Sequence, residues 1–199
     1  PPIPGSEVAA AVSLQVTAER ELCLSTAFFD GLAGKFSTIG QARIELKRGH
    51  AINELTCFRY DVTLLGADRA RQQVDARAVS WTTLSGDPAA FSRLADLVGT
   101  TDGASALTVT GIPNRRLVRP LAVMRLLNEA AATTTAWELE RQLWETDGAT
   151  AVDPEDIAEL AERLGRRVRL LVPAHGRLDE FDAVFETTEH MPRRSRSHV

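Results

Sequence analysis

Apolar and polar positions alternate most sharply over residues 42–65, ARIELKRGHAINELTCFRYDVTLL. Ile44 and Leu46 alternate with Arg43, Glu45 and Lys47. Further on, Leu55, Cys57 and Arg59 interleave with Thr56, Phe58 and Tyr60, ahead of the apolar Val62, Leu64 and Leu65. A period of two puts successive side chains on opposite faces of an extended chain, so the pattern predicts strands at about 42–47 and 55–65. Between them lie Lys47, Arg48, His50, Asn53 and Glu54, and Arg59, Tyr60 and Asp61 follow. That is more hydrogen-bonding capacity than a hairpin needs in order to form, which marks this segment as a candidate recognition site.

Elsewhere the helical period dominates. Val8, Ala11, Val12, Gln15 and Val16 predict a helix within 7–24 that turns Glu19 and Glu21 to solvent. Ser25 is a suitable N-cap for a helix through Phe28, Phe29, Leu32 and Phe36, with Gly40 as its stop. A short strand is expected at 79–82, a helix from Asp87 and Pro88 through Phe91, Leu94 and Leu97, and a strand at 106–111, ALTVTG. Pro120 opens a helix with Leu121, Met124, Leu127 and Asn128, and 136–146 forms another with Trp137, Leu139, Leu143 and Trp144. Asp153 and Pro154 cap the clearest helix, with Ile157, Leu160, Ala161 and Leu164 on one face, Glu155, Glu159 and Glu162 on the other, and Gly165 ending it. A terminal hairpin pairs 168–172 with 181–185 around His175, Gly176 and Asp179. The rhythm is α/β. It divides into helices and an antiparallel hairpin at 1–66, an α/β unit at 67–190, and a tail at 191–199 expected to be disordered.

With 199 residues, 44% hydrophobic and 25% charged, the chain can bury a core of its own. A net charge of -4 gives no electrostatic reason to expect nucleic acid or an anionic membrane as a partner. No apolar run approaches the roughly 20 residues that cross a bilayer, and no charged-then-apolar signal opens the chain, so the cytoplasm is expected. Cys23 and Cys57 lie far apart without a CxxC pair or a His/Cys cluster. They read as small buried thiols, and no metal site is expected.

The string LKRGxxxNELTxFRYDV at 46–62, with FFDGLAGKFSTIG at 28–40 and TGIPNRRL at 110–117, resembles the C-terminal half of methyltransferase domains embedded in nonribosomal peptide synthetases. The resemblance covers about residues 19–186. It implies a class I methyltransferase-like sheet in which the two strands form the final antiparallel pair, in a domain inserted at the adenylation domain of an assembly line. It also implies synthetase domains or a carrier protein as partners. Such enzymes hold S-adenosylmethionine in their N-terminal half, where the first strand enters a glycine-rich turn and an acidic residue ends the second. Gly31, Gly34, Gly40, Gly49 and Gly66 stand singly and build no such turn. The isolated chain is therefore expected to bind no cofactor, and S-adenosylmethionine only when a partner half completes it. An unpaired strand edge also predicts association, through a synthetase domain or as a homodimer.

Within that resemblance His50, Glu54 and Tyr60 are the catalytic candidates: a base near neutral pH, a carboxylate to orient an amine, and a phenol to shape a pocket. Lys47, Arg48, Asn53 and Arg59 are candidates for holding substrate or partner. Asn114 and Arg115 join them because they follow a strand at its carboxyl end, where open sheets bind ligands such as a phosphate or phosphopantetheine. Structural roles compete with each of these. Arg59 pairs with Glu54 or Asp61, Tyr60 packs on the sheet, His50 is simply exposed, Asn114 makes a turn with Pro113, and the arginines at 115 and 116 pair with acids of neighbouring helices. His175 with Asp179 and Asp182 reads as a turn, since no nucleophile elbow accompanies it. The chain then reads as a methyltransferase-like module that is not self-sufficient. The alternatives are a methyltransferase portion acting on a carrier-bound aminoacyl or peptidyl group, or an enzyme of different chemistry using the polar hairpin.

Overall fold

A computed structural model describes residues 3–70, 76–84, 89–101, 106–129, 133–146, 148, 150–173, 177 and 179–186. In chain order the elements are α1 (Gly5–Ala18), α2 (Thr26–Lys35), β1 (Ile39–Leu46), α3 (Glu54–Phe58), β2 (Tyr60–Gly66), α4 (Ala67–Ala70), β3 (Ala76–Ser80) and α5 (Ala90–Thr100). They continue with β4 (Ala106–Pro113), α6 (Arg115–Glu129), α7 (Ala136–Trp144), α8 (Pro154–Arg163), β5 (Arg167–Leu171) and β6 (Glu180–Glu186). The six strands form one sheet in the order β2-β1-β5-β6-β4-β3, so the fold is α/β. Among the described strands only β3 and β4 run parallel, as a strand, helix and strand in succession must when the helix α5 crosses between them. All other pairs are antiparallel.

The core lies where α5 and α8 cover the sheet. Leu94 and Val98 of α5, Ile157, Ala158 and Ala161 of α8, Val109 and Ile112 of β4, and Phe181 and Ala183 of β6 are all buried. On α8 the expected stripe holds at Ile157, Leu160 and Ala161, while Leu164, beyond the helix end, is part-exposed. The N-terminal helices contribute little: α2 buries no residue, and α1 buries only Gly5.

Several boundaries differ from the sequence reading for local reasons. The stretch 54–58 is a helical turn, not the start of a strand. The Asn53 side chain accepts the N–H groups of Leu55 at 3.0 Å and Thr56 at 3.2 Å, while Thr56 Oγ1 accepts the Asn53 N–H at 3.1 Å. This reciprocal capping box supplies a helix start that outweighs the alternating pattern. The sixth helix opens at Arg115, leaving Pro120 inside it. Proline has no N–H for the carbonyl four residues earlier, Arg116. That carbonyl instead accepts from Cys57 Sγ at 3.5 Å, which ties α3 to α6. The first helix ends at Ala18, α2 ends at Lys35, and Gly40 belongs to β1. Ser25 occupies the N-cap position without a side-chain capping bond. Cys23 is exposed and Cys57 half-buried, so neither is the buried thiol expected. Asp87, Pro88, His175, Gly176 and the tail at 191–199 lie outside the described residues.

Candidate functional site

The polar segment after β1, the turn after β4 and the start of α8 meet in one place. Asp153 caps α8, accepting the Glu155 N–H at 2.9 Å, and Pro154 occupies the first turn. Asn114 bonds back into the fold: its N–H donates to the Asp179 carbonyl at 2.8 Å, and its side-chain oxygen accepts the Arg116 N–H at 3.1 Å. The Arg115 N–H donates to the Val152 carbonyl at 3.0 Å. These bonds fix the direction of the Arg116 side chain.

Arg116 is only 1% exposed, and a buried guanidinium requires acceptors for its donors. It finds them. Nε donates to Asp153 Oδ1 at 3.1 Å, Nη1 to the Lys47 carbonyl at 2.8 Å, and Nη2 to the Gly49 carbonyl at 2.6 Å. Gly49 has φ 135°, a conformation that favours glycine, and its N–H donates to Glu155 Oε2 at 2.7 Å. Arg48 Nε reaches both oxygens of the same carboxylate, at 2.9 and 3.1 Å, and its Nη2 also meets Glu162 at 3.1 Å. The Arg48 hydrogen bonds, helped by the Gly49 N–H, hold the Glu155 carboxyl below its ordinary value against the opposing effect of burial. Glu155 in turn raises the Arg48 guanidinium.

The remaining candidates fall into separate networks. Lys47 pairs with Asp61 across the strand pair. His50 is exposed, with Nε2 3.4 Å from Glu159. Asn53 is consumed as a cap. Arg59 bridges Glu54 at 3.0 Å and Glu21 at 3.2 Å, both on the surface. The Tyr60 hydroxyl donates to the Leu24 carbonyl, and its ring meets Phe29 edge to face at 6.2 Å. Burial pushes that phenol up. The Arg115 side chain is exposed, with no ion-pair partner among the described residues. Thus Arg48 and Asn114 come together with Arg116, while His50, Glu54 and Tyr60 do not meet one another in any of these networks.

Sequence reasoning placed Glu155 on the solvent face with Glu159 and Glu162. It is buried instead, because the 47–50 loop lies across it, a contact that helical periodicity cannot announce. Arg116 was expected to pair with an acid of a neighbouring helix, and it does so through the cap of α8. Among the described residues no group of three or more His, Cys, Asp or Glu can hold a metal ion, and no helix is long and apolar enough to cross a membrane.

A cofactor cradle of the S-adenosylmethionine type needs free N–H groups at a strand-to-helix turn. In the turn from β4 to α6 the N–H groups of Asn114, Arg115 and Arg116 are already donated to Asp179, Val152 and Asn114, and the turn residue is not glycine. This turn does not fit that cofactor.

No protein-family model matches the chain. Among curated proteins it is similar to the nonribosomal peptide synthetase asqK of Emericella nidulans, with 27% identity over 153 residues, 74% of this chain and 6% of that protein. It is 31% identical over 172 residues to chondramide synthase cmdD of Chondromyces crocatus, covering 83% of this chain and 4% of the synthase. With a probable non-canonical nonribosomal peptide synthetase, CymA of Salinispora arenicola, identity is 33% over 135 residues, 67% of this chain and 2% of the relative. The chain is related to a region of nonribosomal peptide synthetases. It spans only a small part, at most 6%, of the length of these curated relatives.

Proposed function

We propose that this chain is the C-terminal scaffold portion of a methyltransferase-like domain in a nonribosomal peptide synthetase, a module that does not act alone. The use made of the motif residues carries this reading. Within KRG and PNRR, Arg48, Gly49, Asn114 and Arg116 bond to one another's elements and to Asp153 and Glu155. The strings that mark the resemblance therefore support a structural role. His50, Glu54 and Tyr60 turn to Glu159, Arg59 and the Leu24 carbonyl respectively, which favours an interaction scaffold over a self-contained catalytic centre. Ile52, Leu55 and Phe58, more than half exposed, suit a surface that meets a neighbouring synthetase domain. That the relatives are synthetases supports peptide assembly as the setting.

Calorimetry tests the reading. S-adenosylmethionine should give no binding heat with this chain alone and saturable binding once the upstream half of the domain is supplied in trans. Micromolar binding by the chain alone would overturn its dependence on a partner. Failure of the combined halves to bind would overturn the methyltransferase-like assignment.

A further inference from the structure

The outer side of α6 and α7 carries groups that the polar network does not use. On α7 Leu139 is buried, whereas Trp137 and Trp144 are 66% and 69% exposed. Their spacing of seven residues is about two helical turns, so both indoles stand on one side of the helix. The Arg119 guanidinium lies 4.6 Å from the centre of the Trp144 ring, which joins this side of α7 to α6. Arg115, one turn before Arg119, is exposed, and neither arginine has an ion-pair partner among the described residues. The acids of α7 and its C-cap do not offset them all: Glu145 is taken by Arg141 at 2.8 Å and Glu138 by the Thr135 cap. Glu140 lines an apolar cavity of about 220 Å³ with Val8 and Val12 of α1.

Tryptophan and arginine are the side chains most enriched where partners bury them, and an indole carries a large apolar area that a free surface leaves wet. A cation held over a ring still presents charge outward. The combination asks for a partner that is apolar along one stripe and anionic beside it.

We propose that Trp137, Trp144, Arg119 and Arg115 form a docking site for an acidic amphipathic helix of another protein domain, whose apolar stripe covers the indoles while its carboxylates reach the two guanidinium groups. A phosphate chain is a poorer match, because two arginines on a chain of net charge -4 make too weak a positive field. The site is independent of the methyltransferase-like reading.

The test uses the full chain and two synthetic helical peptides with one leucine stripe, flanked by glutamates in one and by lysines in the other. Trp81 is 3% exposed, so a blue shift of emission on binding reports on the two surface indoles. The glutamate peptide should bind saturably, more weakly as salt rises, and the lysine peptide at least about tenfold more weakly. Arg119→Glu and Trp144→Ser should each weaken the glutamate peptide about tenfold in calorimetry, with unchanged far-ultraviolet dichroism. Arg125→Glu, on another side of α6, should have no effect. No binding, equal binding of both peptides, indifference to Arg119→Glu, or tighter binding of a single-stranded oligonucleotide or an anionic vesicle would overturn the proposal.

Discussion

Replacing Arg116 with alanine is the sharpest probe of the polar network. The guanidinium satisfies the Asp153 carboxylate and the carbonyls of Lys47 and Gly49. Removing one member of a buried ion pair costs about 3–5 kcal/mol. The Asp153 side chain is 15% exposed and keeps the Glu155 N–H, so the lower end applies. The two carbonyls would each add about 1–3 kcal/mol if left dry, but water entering the vacated space brings them near the lower bound. The sum is about 5 kcal/mol, a third or more of the roughly 5–15 kcal/mol that stabilises an ordinary domain. In a chain of this size that is a melting temperature lower by about 10–20 °C. Arg115→Ala, the exposed neighbour, should change stability by less than about 0.5 kcal/mol. Arg116→Lys should recover only part of the loss, since an ammonium cannot present the planar fork. Urea unfolding followed by circular dichroism measures all three. A loss for Arg116→Ala below about 1 kcal/mol, or parity with Arg115→Ala, would refute the view that this arginine closes the fold.

Acid should act through Glu155. Its carboxyl is held below the ordinary value, chiefly by Arg48, so its stabilisation is complete above the unfolded glutamate value and disappears as pH falls through the lower folded one. Glu155→Gln should therefore be less stable at neutral pH yet lose less on acidification. Unfolding curves at stepped pH decide this, and an acid limb as steep as that of the parent would count against it. Arg59→Ala removes only exposed pairs with Glu54 and Glu21 and should leave the unfolding midpoint almost unchanged. Tyr60→Phe gives up one hydrogen bond to the Leu24 carbonyl, worth about 0.5–1.5 kcal/mol. Chemical denaturation of both variants checks this, and a clearly lowered midpoint for Arg59→Ala, or a loss above about 3 kcal/mol for Tyr60→Phe, would place that residue in a buried network instead.

Much of the element pattern was legible because period and punctuation agreed. Asp153 and Pro154 open α8, and Ile157, Leu160 and Ala161 form its buried face as their spacing requires. The alternation around Ile44 and Val62 marks β1 and β2, which pair in register with those two residues opposite each other. Where local chemistry competed with period, the period misled. Asn53 and Thr56 close a capping box inside what reads as a strand, and Pro120 sits within a helix where a thiol from α3 meets the carbonyl it leaves bare. Long-range partners were the least visible. Nothing in the neighbourhood of Glu155 along the chain announces that Arg48 and Gly49, more than a hundred residues earlier, will bury it. Composition does show that arginine is the prevailing cation, but not which arginine is enclosed: Arg115 is exposed and Arg116 is not.

The placement of this network follows from the weakest seam in the sheet. Strand β1 is paired with β2 along most of its length, but with β5 through a single registered position, Glu45 opposite Leu171, beside a Val172 N–H to Ile44 carbonyl bond of 3.0 Å. Bonds of this kind contribute about 0.5–1.5 kcal/mol each, too little to hold a hairpin at one angle against the rest of the domain. Immediately beyond β1 the chain runs into Lys47, Arg48 and Gly49, whose main-chain and side-chain groups are gripped by Arg116 and Glu155. Charge-assisted and partly bidentate, these bonds are both stronger and more directional than the ladder they extend. The side chains therefore fix an orientation that the backbone pairing leaves loose. With it they fix the direction in which the hairpin presents the exposed Ile52, Leu55 and Phe58. On that account the part of this polar stretch formed by Arg48 and the main chain of Lys47 and Gly49 is an internal fastening, while His50, Glu54 and Arg59 form pairs on the surface.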